Sequence, residues 1–167
     1  MPDYTFRPLT LDDKALFMGW LAAPHIGGWW GSPDSQWAHV VNHWAETPQQ
    51  TAMHIAQVDG TDFGYAQSYD VQAYGSPHYA DRGTGAQALD FFLGEAAYLG
   101  QGHGTGMIRT RAHQLIFAGA PAVLVDPDVL NTHAIGSYER AGFNAVEERI
   151  CNDGNTVLVM EFTGPSA

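Results

Sequence analysis

The segment of this sequence best suited to chemistry is Gln101-Gly-His-Gly-Thr-Gly106, which runs into the helical pattern of residues 107–117. Because glycine has no Cβ atom, a loop of alternating glycines can turn its backbone N–H groups towards an anion. The helix that follows adds its unpaired first-turn N–H groups and the positive end of its dipole. The spacing therefore predicts a loop that holds phosphate, most often the pyrophosphate of a nucleotide-like cofactor.

Three kinds of phosphate loop can be compared with this segment. A P-loop needs Lys and then Ser or Thr after its last glycine, whereas two apolar residues follow Gly106. A dinucleotide fingerprint fits poorly for two reasons. Its third glycine would be residue 107, one position after Gly106. The apolar strand near 89–93 also does not lead directly into the loop. Asp126, about 20 residues further on, keeps that interpretation open. The third pattern, Q/R-x-x-G-x-G/A, is satisfied by Gln101, Gly104 and Gly106.

Composition limits the class of protein. The chain has 167 residues, enough for one domain with a sizeable core. It has no long apolar run and no basic-then-apolar start, so we expect a soluble, cytoplasmic protein with no membrane partner. Its formal charge of −11, from 7 basic and 18 acidic residues, argues against nucleic acid as a partner and favours a cationic ligand.

We also expect no metal. The single cysteine, Cys151, excludes an internal disulfide and a multi-cysteine zinc site, and the eight histidines show no metal-binding spacing. Cys151 lies beside the turn Asn152-Asp-Gly154 with no histidine placed to activate it, so we interpret it as a bystander.

Periodicity and turn residues predict the element order β-α-α-β-β-β-α-β-α-β-β. The predicted strands are 4–9, 52–58, 63–69, 86–93, 122–125, 143–150 and 156–162, and the predicted helices are 11–21, 35–46, 107–117 and 131–141. Thr10 is the expected N-cap of the first helix. No repeat or linker interrupts the chain, so a single domain over residues 1–167 is expected.

This element order, the glycine-rich loop and a second motif together resemble the N-acetyltransferase (GNAT) superfamily. The second motif, Asn131-x6-Tyr138-Glu-Arg-Ala-Gly-Phe143, is similar to the C-terminal signature N-x6-Y-x-x-x-G-F of that superfamily. The resemblance covers nearly the whole chain and implies an α+β fold with acetyl-CoA as co-substrate. In that fold a mixed central sheet of about seven strands is flanked by about four helices, and the fourth and fifth strands splay apart to admit acetyl-CoA.

Further motifs narrow the resemblance to one branch. They are His25-Ile-x-x-Trp-Trp-Gly31, Gly64-Tyr-Ala-Gln-Ser-Tyr69, a Gly-x-x-x-x-Asp pattern ending at Asp90, and Asp126-Pro127 with Asn131. Together they resemble aminoglycoside 6′-N-acetyltransferases, in the branch shared with siderophore-biosynthesis acyltransferases. The siderophore enzymes usually carry a histidine base where this chain has Asp90, so the aspartate favours the aminoglycoside enzymes.

The resemblance implies roles for individual residues. Acetyl transfer from a thioester to a primary amine needs removal of the amine's proton, a donor for the departing thiolate and a donor for the carbonyl oxygen. Asp90 is implied as base or ammonium anchor and Tyr138 as donor to the sulfur, with direct transfer and no covalent enzyme intermediate. The implied cofactor contacts are Phe92, Leu93, Gln101, Gly102, His103, Gly104, Thr105, Gly106, Met107, Asn131 and Tyr138. The implied acceptor contacts are Trp29, Trp30, Tyr69, Asp90, Asp126 and Asp153.

Each of these residues also has a structural alternative. Asp90 could form a buried ion pair, Asp126 could cap the Pro127 turn, and Asp153 belongs to an Asn-Asp-Gly hairpin-turn signature. Tyr138 could be a core aromatic, and Asn131 is a natural N-cap.

The aromatic and histidine residues raise similar choices. Of the pair Trp29-Trp30, one is expected to wall the acceptor pocket while the other packs inward. Tyr65 and Tyr69 alternate on one strand face, pointing to the sheet interior or the acceptor cleft. We expect the His103 side chain to be solvated rather than bound to phosphate.

Three function classes follow. The favoured one is acetylation of a polycationic aminoglycoside at its 6′-amine, conferring antibiotic resistance, by a monomer or homodimer. The second is acylation of an N-hydroxylysine or lysine side chain in siderophore biosynthesis. The third is a nucleotide-binding module or a dinucleotide oxidoreductase, which the loop offset and the Asn131–Phe143 signature disfavour.

Overall fold

The computed structural model describes residues 1–164, which form seven strands and four α-helices. The strands are β1 (Tyr4–Pro8), β2 (Thr51–Val58), β3 (Thr61–Asp70), β4 (Gln87–Leu93), β5 (Val123–Val125), β6 (Phe143–Ile150) and β7 (Thr156–Phe162). The helices are α1 (Lys14–Leu21), α2 (Pro33–Ala45), α3 (His103–Phe117) and α4 (Thr132–Ala141). The element order is the predicted one.

The strands form one mixed sheet in the order β1-β2-β3-β4-β5-β7-β6. β4 and β5 pair in parallel, while β1 with β2, β5 with β7, and β6 with β7 pair antiparallel. The predicted α+β fold is therefore confirmed. Within residues 1–164, none of the helices combines the length and the apolar character that crossing a membrane requires.

The chain divides into two compact units. The first comprises Met1–Gln67 and Phe91–His103, and the second comprises Ser68–Asp90 and the chain from Gly104 onward.

The core of the first unit is aromatic. Phe17 and Trp20 of α1 contact Phe92 of β4 with ring centroids 5.8 and 6.2 Å apart, and Phe17 contacts Tyr65 at 5.0 Å. Such pairs favour tilted or edge-on geometry, which these rings adopt. A Cβ atom at Gly94, just after β4, would overlap the Trp20 indole, so only glycine fits there.

The first helix begins as the sequence predicts. The Thr10 backbone N–H donates to Asp13 Oδ2 at 2.8 Å, which is half of a capping box, and a single 3₁₀ turn at Leu11–Asp13 leads into α1. Asp13 also accepts two hydrogen bonds from Arg7, at 3.0 and 2.8 Å. This pair of hydrogen bonds lowers the pKa of Asp13.

The second unit contains the parallel pairing, which joins Gln87 to Val123 and Ala88 to Leu124. Its core includes Val71, Tyr79, Ala88, Leu124, Val157 and Val159, all buried. α4 ends at Gly142, whose φ of 110° lies in the left-handed region that favours glycine.

The boundaries of β6 and β7 coincide with the predicted ones, but those of α3 do not. Gly104 and Gly106 were predicted to lie in a loop, whereas α3 already begins at His103. Gly102 has the positive φ of 81° that a loop needs, so the loop ends there. The predicted loop was too long because glycine's low helix propensity does not prevent it from forming a first turn.

Candidate active site

Two carboxylates lie just beyond the residues through which the parallel strands β4 and β5 pair. Asp90 lies two residues after Ala88 on β4, and Asp126 lies two residues after Leu124 of β5, the residue with which Ala88 pairs. Side chains two residues apart on a strand share a face, and the carboxyl ends of parallel strands meet at one edge. The pairing register therefore directs Asp90 and Asp126 to the same region of the second unit.

The charges of these carboxylates act on two buried tyrosines, Tyr79 and Tyr138, and on the partly buried Tyr69. Burial raises the pKa of Tyr69, Tyr79 and Tyr138, and the negative charges of Asp90 and Asp126 raise each pKa further. All three hydroxyls consequently keep their protons at neutral pH. The structure thus brings together four predicted site residues of the second unit, which are Asp90, Asp126, Tyr138 and Tyr69.

Tyr79 was missed by the sequence analysis. It lies in the 3₁₀ turn Pro77–Tyr79, its ring is fully buried, and its hydroxyl makes no hydrogen bond to any residue in the described range 1–164. No local pattern predicts a role for Tyr79, because the sequence around it indicates only a loop that contains Gly and Pro.

His78 was also missed, and it changes the interpretation of Cys151. His78 Nδ1 lies 3.4 Å from Cys151 Sγ, and His78 Nε2 lies 2.8 Å from Asp126 Oδ2. The second contact meets the distance but not the angle of a hydrogen bond. The expectation that no histidine is placed beside Cys151 is therefore wrong, because the fold brings His78 there from a distant segment.

This histidine does not make Cys151 a good nucleophile. Burial raises the pKa of the Cys151 thiol to about 11, with further contributions from the charges of Asp126, Asp153 and Asp128. The thiolate is the nucleophilic form, so at neutral pH the group is almost entirely unreactive thiol. Direct transfer without a covalent enzyme intermediate stays our prediction.

The hydrogen bonds show which acidic residues stabilise turns. After β5 it is Asp128, rather than Asp126, that accepts a turn hydrogen bond, from the Leu130 N–H at 2.8 Å. Asp153 is exposed, and its two oxygens accept the backbone and side-chain N–H groups of Asn155 at 2.9 and 3.0 Å. Asp126 therefore caps no turn, although it lies against His78, whereas the hairpin turn engages Asp153.

α4 positions the last two predicted residues. Asn131 is its N-cap, with Oδ1 accepting the Ala134 N–H at 3.2 Å. Tyr138 lies two turns along this helix, with its ring 5.6 Å from that of Phe143. The capping role of Asn131 is therefore present, and a contact with pantetheine stays a prediction.

The glycine-rich segment leads into α3. The Gln101 side chain donates to the Ala97 carbonyl at 2.6 Å, which holds the loop before the helix. The first four N–H groups of a helix have no intrahelical partner, and here they belong to residues 103–106. Thr105 lies within this turn, and the Met107 side chain is fully buried, so Met107 can offer only its backbone.

His103, which was expected to be solvated, is partly exposed and also contacts two tyrosines. Its Nδ1 lies 3.0 Å from the Tyr4 hydroxyl, and the Tyr98 ring packs edge-on against it at 5.2 Å. These contacts leave the side chain half-buried and fix its orientation at the start of α3.

The remaining predicted residues belong to the first unit. The Trp30 ring packs edge-on against Phe92 at 5.0 Å and Tyr65 at 6.0 Å, whereas Trp29 is 54% exposed. One indole thus packs inward and the other faces solvent. Phe92 is buried in the same core, and the Leu93 carbonyl accepts a hydrogen bond from His25 Nε2 at 2.9 Å.

The mixed sheet, the parallel β4–β5 pair and the glycine-rich start of α3 define an N-acetyltransferase fold. Comparison with known proteins agrees: the profile of the acetyltransferase (GNAT) domain matches residues 10–150, and the chain belongs to that family. It is accordingly an acyl-CoA-dependent N-acetyltransferase that uses acetyl-CoA as co-substrate.

Individual relatives are similar along nearly the whole chain. An aminoglycoside N(6′)-acetyltransferase type 1 of Klebsiella pneumoniae is 30% identical over an alignment of 165 residues, and the match covers 94% of this chain and 82% of that protein. The structure of AAC(6′)-Ib in complex with ribostamycin and coenzyme A is 30% identical with a TM-score of 0.83, covering 96% of this chain and 93% of that one. The structure of AAC(6′)-Ib in complex with parmomycin and acetyl-CoA is 29% identical with a TM-score of 0.81, covering the same shares of the two chains.

Proposed function

We propose that this enzyme transfers the acetyl group of acetyl-CoA to the 6′-amine of an aminoglycoside. The observation that carries the proposal is the pairing register of β4 and β5, which directs Asp90 and Asp126 to one region of the second unit, near the buried Tyr138. This cluster supplies a carboxylate that can take a proton, a second carboxylate that can hold an ammonium group, and a protonated donor. The similarity to aminoglycoside acetyltransferases supports the choice of acceptor.

The reaction begins with the acceptor amine, which is mostly protonated at neutral pH. In the proposal Asp90 takes this proton, directly or through a water molecule, and the free amine attacks the thioester carbonyl. A backbone N–H of β4 donates to the carbonyl oxygen as its negative charge develops. The carbon–sulfur bond then breaks, and the acetylated amine and coenzyme A are released.

Tyr138 acts on the departing sulfur. A free thiol has a pKa of about 8.5, whereas burial and two carboxylates raise the pKa of Tyr138 above its ordinary value. Complete proton transfer from tyrosine to thiolate would therefore be unfavourable. We infer that Tyr138 stabilises the thiolate by donating a hydrogen bond, and that the thiolate takes its final proton from the amine or from water.

The other ammonium groups of the acceptor need fixed positions so that one amine reaches the thioester. Asp126 is suited to this role because it caps no turn, and Tyr69 can donate to a sugar hydroxyl beside it. Asp153 is a weaker anchor, since Asn155 already binds both of its oxygens.

The experiment measures acetyl-CoA turnover with kanamycin, a gentamicin-type acceptor and N-hydroxylysine. We expect turnover with the aminoglycosides, and a single acetyl group on the 6′-nitrogen by mass spectrometry and NMR. Asp90→Asn should lower turnover with every acceptor by about a hundredfold or more, while Asp34→Asn, on the exposed start of α2, serves as the matched control. Acetylation of N-hydroxylysine alone would instead support the siderophore function.

A biological consequence follows from the same reaction. We place it in the cytoplasm, where acetyl-CoA is made and used. Expression of the enzyme in a susceptible bacterium should raise the kanamycin concentration needed to stop growth, and expression of Asp90→Asn should not.

A further inference from the structure

His78 contacts two side chains from distant segments through the opposite nitrogens of its imidazole ring. Its Nδ1 lies 3.4 Å from Sγ of Cys151, just after β6, and its Nε2 lies 2.8 Å from Oδ2 of Asp126, just after β5. A histidine held through one ring nitrogen presents the other nitrogen in a fixed direction. Here that direction is towards Asp126.

The backbone around His78 holds the ring in place. Gln72 Nε2 donates to the Tyr79 carbonyl at 3.1 Å and to the Arg82 carbonyl at 2.5 Å, which ties the 3₁₀ turn Pro77–Tyr79 to the segment after β3. The His78 side chain is 9% exposed, whereas that of Asp126 is 20% exposed. The imidazole is therefore the fixed partner of this contact, and the more exposed carboxylate has more freedom to rotate.

The Cys151 thiol favours one tautomer of the ring. Burial raises the pKa of this thiol to about 11, so at neutral pH it is an S–H group that can donate to Nδ1. A neutral imidazole that accepts a hydrogen bond at Nδ1 has its own proton on Nε2. Asp126 favours the same tautomer, because an ionised carboxylate can only accept and its Oδ2 lies beside Nε2.

The contact between Nε2 and Asp126 needs only a change of angle to become a hydrogen bond. The distance of 2.8 Å already suits one, and the buried Nε2 makes no hydrogen bond within residues 1–164. A buried donor without an acceptor is costly, so a rotation of the Asp126 side chain towards Nε2–H is favourable. This hydrogen bond uses one carboxylate oxygen and leaves the other for a cation.

We propose that His78 is a positioning residue, whose Nε2–H holds Asp126 in the orientation that receives an ammonium group of the acceptor. The proposal rests on the proposed function, in which Asp126 is the main ammonium anchor. Because a hydrogen bond to one oxygen fixes the direction of the other, less freedom is lost when the acceptor binds. His78 thereby strengthens acceptor binding and leaves the chemical step to Asp90 and Tyr138.

Steady-state kinetics with kanamycin test this role. We expect His78→Leu, which removes the donor, to raise the kanamycin KM about fivefold and to leave kcat and the acetyl-CoA KM nearly unchanged. His78→Gln keeps an amide N–H near the position of Nε2, so its kanamycin KM should return most of the way to that of the unmodified enzyme. His39→Leu, at an exposed position on α2, is the matched control.

A double variant separates positioning of Asp126 from a general effect on the fold. If His78 acts through Asp126, adding His78→Leu to Asp126→Asn should raise the kanamycin KM no further. Three results would overturn the proposal: an equal fold-increase in both backgrounds, a fall in kcat with the KM unchanged, or a KM in His78→Gln as high as that in His78→Leu.

Nitrogen NMR tests the tautomer without any acceptor. In the unmodified enzyme at pH 8 we expect the His78 ring to carry its proton on Nε2, the signal being assigned by its absence in His78→Gln. A proton on Nδ1 would overturn the proposal, even if His78→Leu does not fold. If no aminoglycoside is acetylated at all, the proposed function fails, while the tautomer still confirms or overturns the donor towards Asp126.

Discussion

Tyr138 is the residue whose protonation state the structure defines most clearly. Burial raises the pKa of its hydroxyl, and the charges of Asp90 and Asp126 raise it further. We expect Tyr138→Phe to lower kcat by about a hundredfold while the KM for acetyl-CoA changes little, because the hydroxyl acts mainly as the thiolate forms. Steady-state kinetics with kanamycin provide the measurement.

The raised pKa of Tyr138 also determines how kcat should depend on pH. A hydroxyl with a raised pKa stays protonated up to and beyond its ordinary pKa of about 10. The kcat of the unmodified enzyme should therefore show no loss from Tyr138 ionisation below that pH. An unchanged kcat in Tyr138→Phe would show instead that this tyrosine is only part of the core.

Asp126 and Asp153 should differ as acceptor anchors. Asp126 caps no turn, whereas Asp153 already accepts two hydrogen bonds from Asn155. We expect Asp126→Asn to raise the kanamycin KM by about tenfold and Asp153→Asn by less, with kcat changed less than KM in both. Equal effects, or a larger effect at Asp153, would contradict the assignment of Asp126 as the main anchor.

Part of this site could be predicted from the sequence and part could not. Asp90, Asp126 and Tyr138 stand at fixed spacings within motifs, so their chemistry is readable along the chain. His78 and Tyr79 share one 3₁₀ turn, far along the chain from Cys151 and Asp126, and only the fold brings His78 within contact distance of those two residues. No spacing pattern along the chain expresses such a contact.

Gly94, just after β4, allows a test of how closely this segment packs against α1. A Cβ atom at Gly94 would overlap the Trp20 ring, whose Nε1 is itself held by Glu95 at 2.7 Å. We expect Gly94→Ala to destabilise the protein by about 3 kcal/mol, a fall in Tm of roughly 6–12 °C. Gly83→Ala is the control, since a Cβ there meets nothing within 4 Å. Thermal unfolding of both variants checks this, and a Gly94→Ala Tm equal to that of Gly83→Ala would show that Trp20 can move aside.

The first turn of α3 gives a second test. Gly104→Asp adds a side chain and a negative charge among the N–H groups of residues 103–106, which in the proposal face the pyrophosphate. We expect calorimetry to show no acetyl-CoA binding by this variant. Gln114→Asp adds the same charge near the other end of α3, where it should leave acetyl-CoA binding intact. Binding by Gly104→Asp would place the pyrophosphate elsewhere.

The elements also differ in how well their bounds could be predicted. β6 and β7 were predicted to the residue, because Asn152-Asp-Gly154 is a strong hairpin signal between two strand patterns. The start of α3 was predicted too late, because three glycines read as a loop. At a helix start, tertiary packing can outweigh local propensity, and the burial of Met107 and Ile108 shows such packing here.

At the scale of the whole molecule, the dominant property is the net charge of −11. A polycationic acceptor is attracted by this charge over long distances, while acetyl-CoA, itself an anion, is not. Salt screens such attraction, since the Debye length falls from about 10 Å at 0.1 M to about 3 Å at 1 M. Raising the salt concentration should therefore raise the KM of the acceptor and leave that of acetyl-CoA nearly unchanged or lower.

This effect should also scale with the charge of the acceptor. We expect the KM of an aminoglycoside with more amines to rise more steeply with salt than that of one with fewer, and both to flatten once the field is screened. The measurement is a series of KM values in KCl for two acceptors and for acetyl-CoA. A parallel rise for all three substrates would point to a general effect of salt on the protein, and the acidic surface would then serve only for solubility.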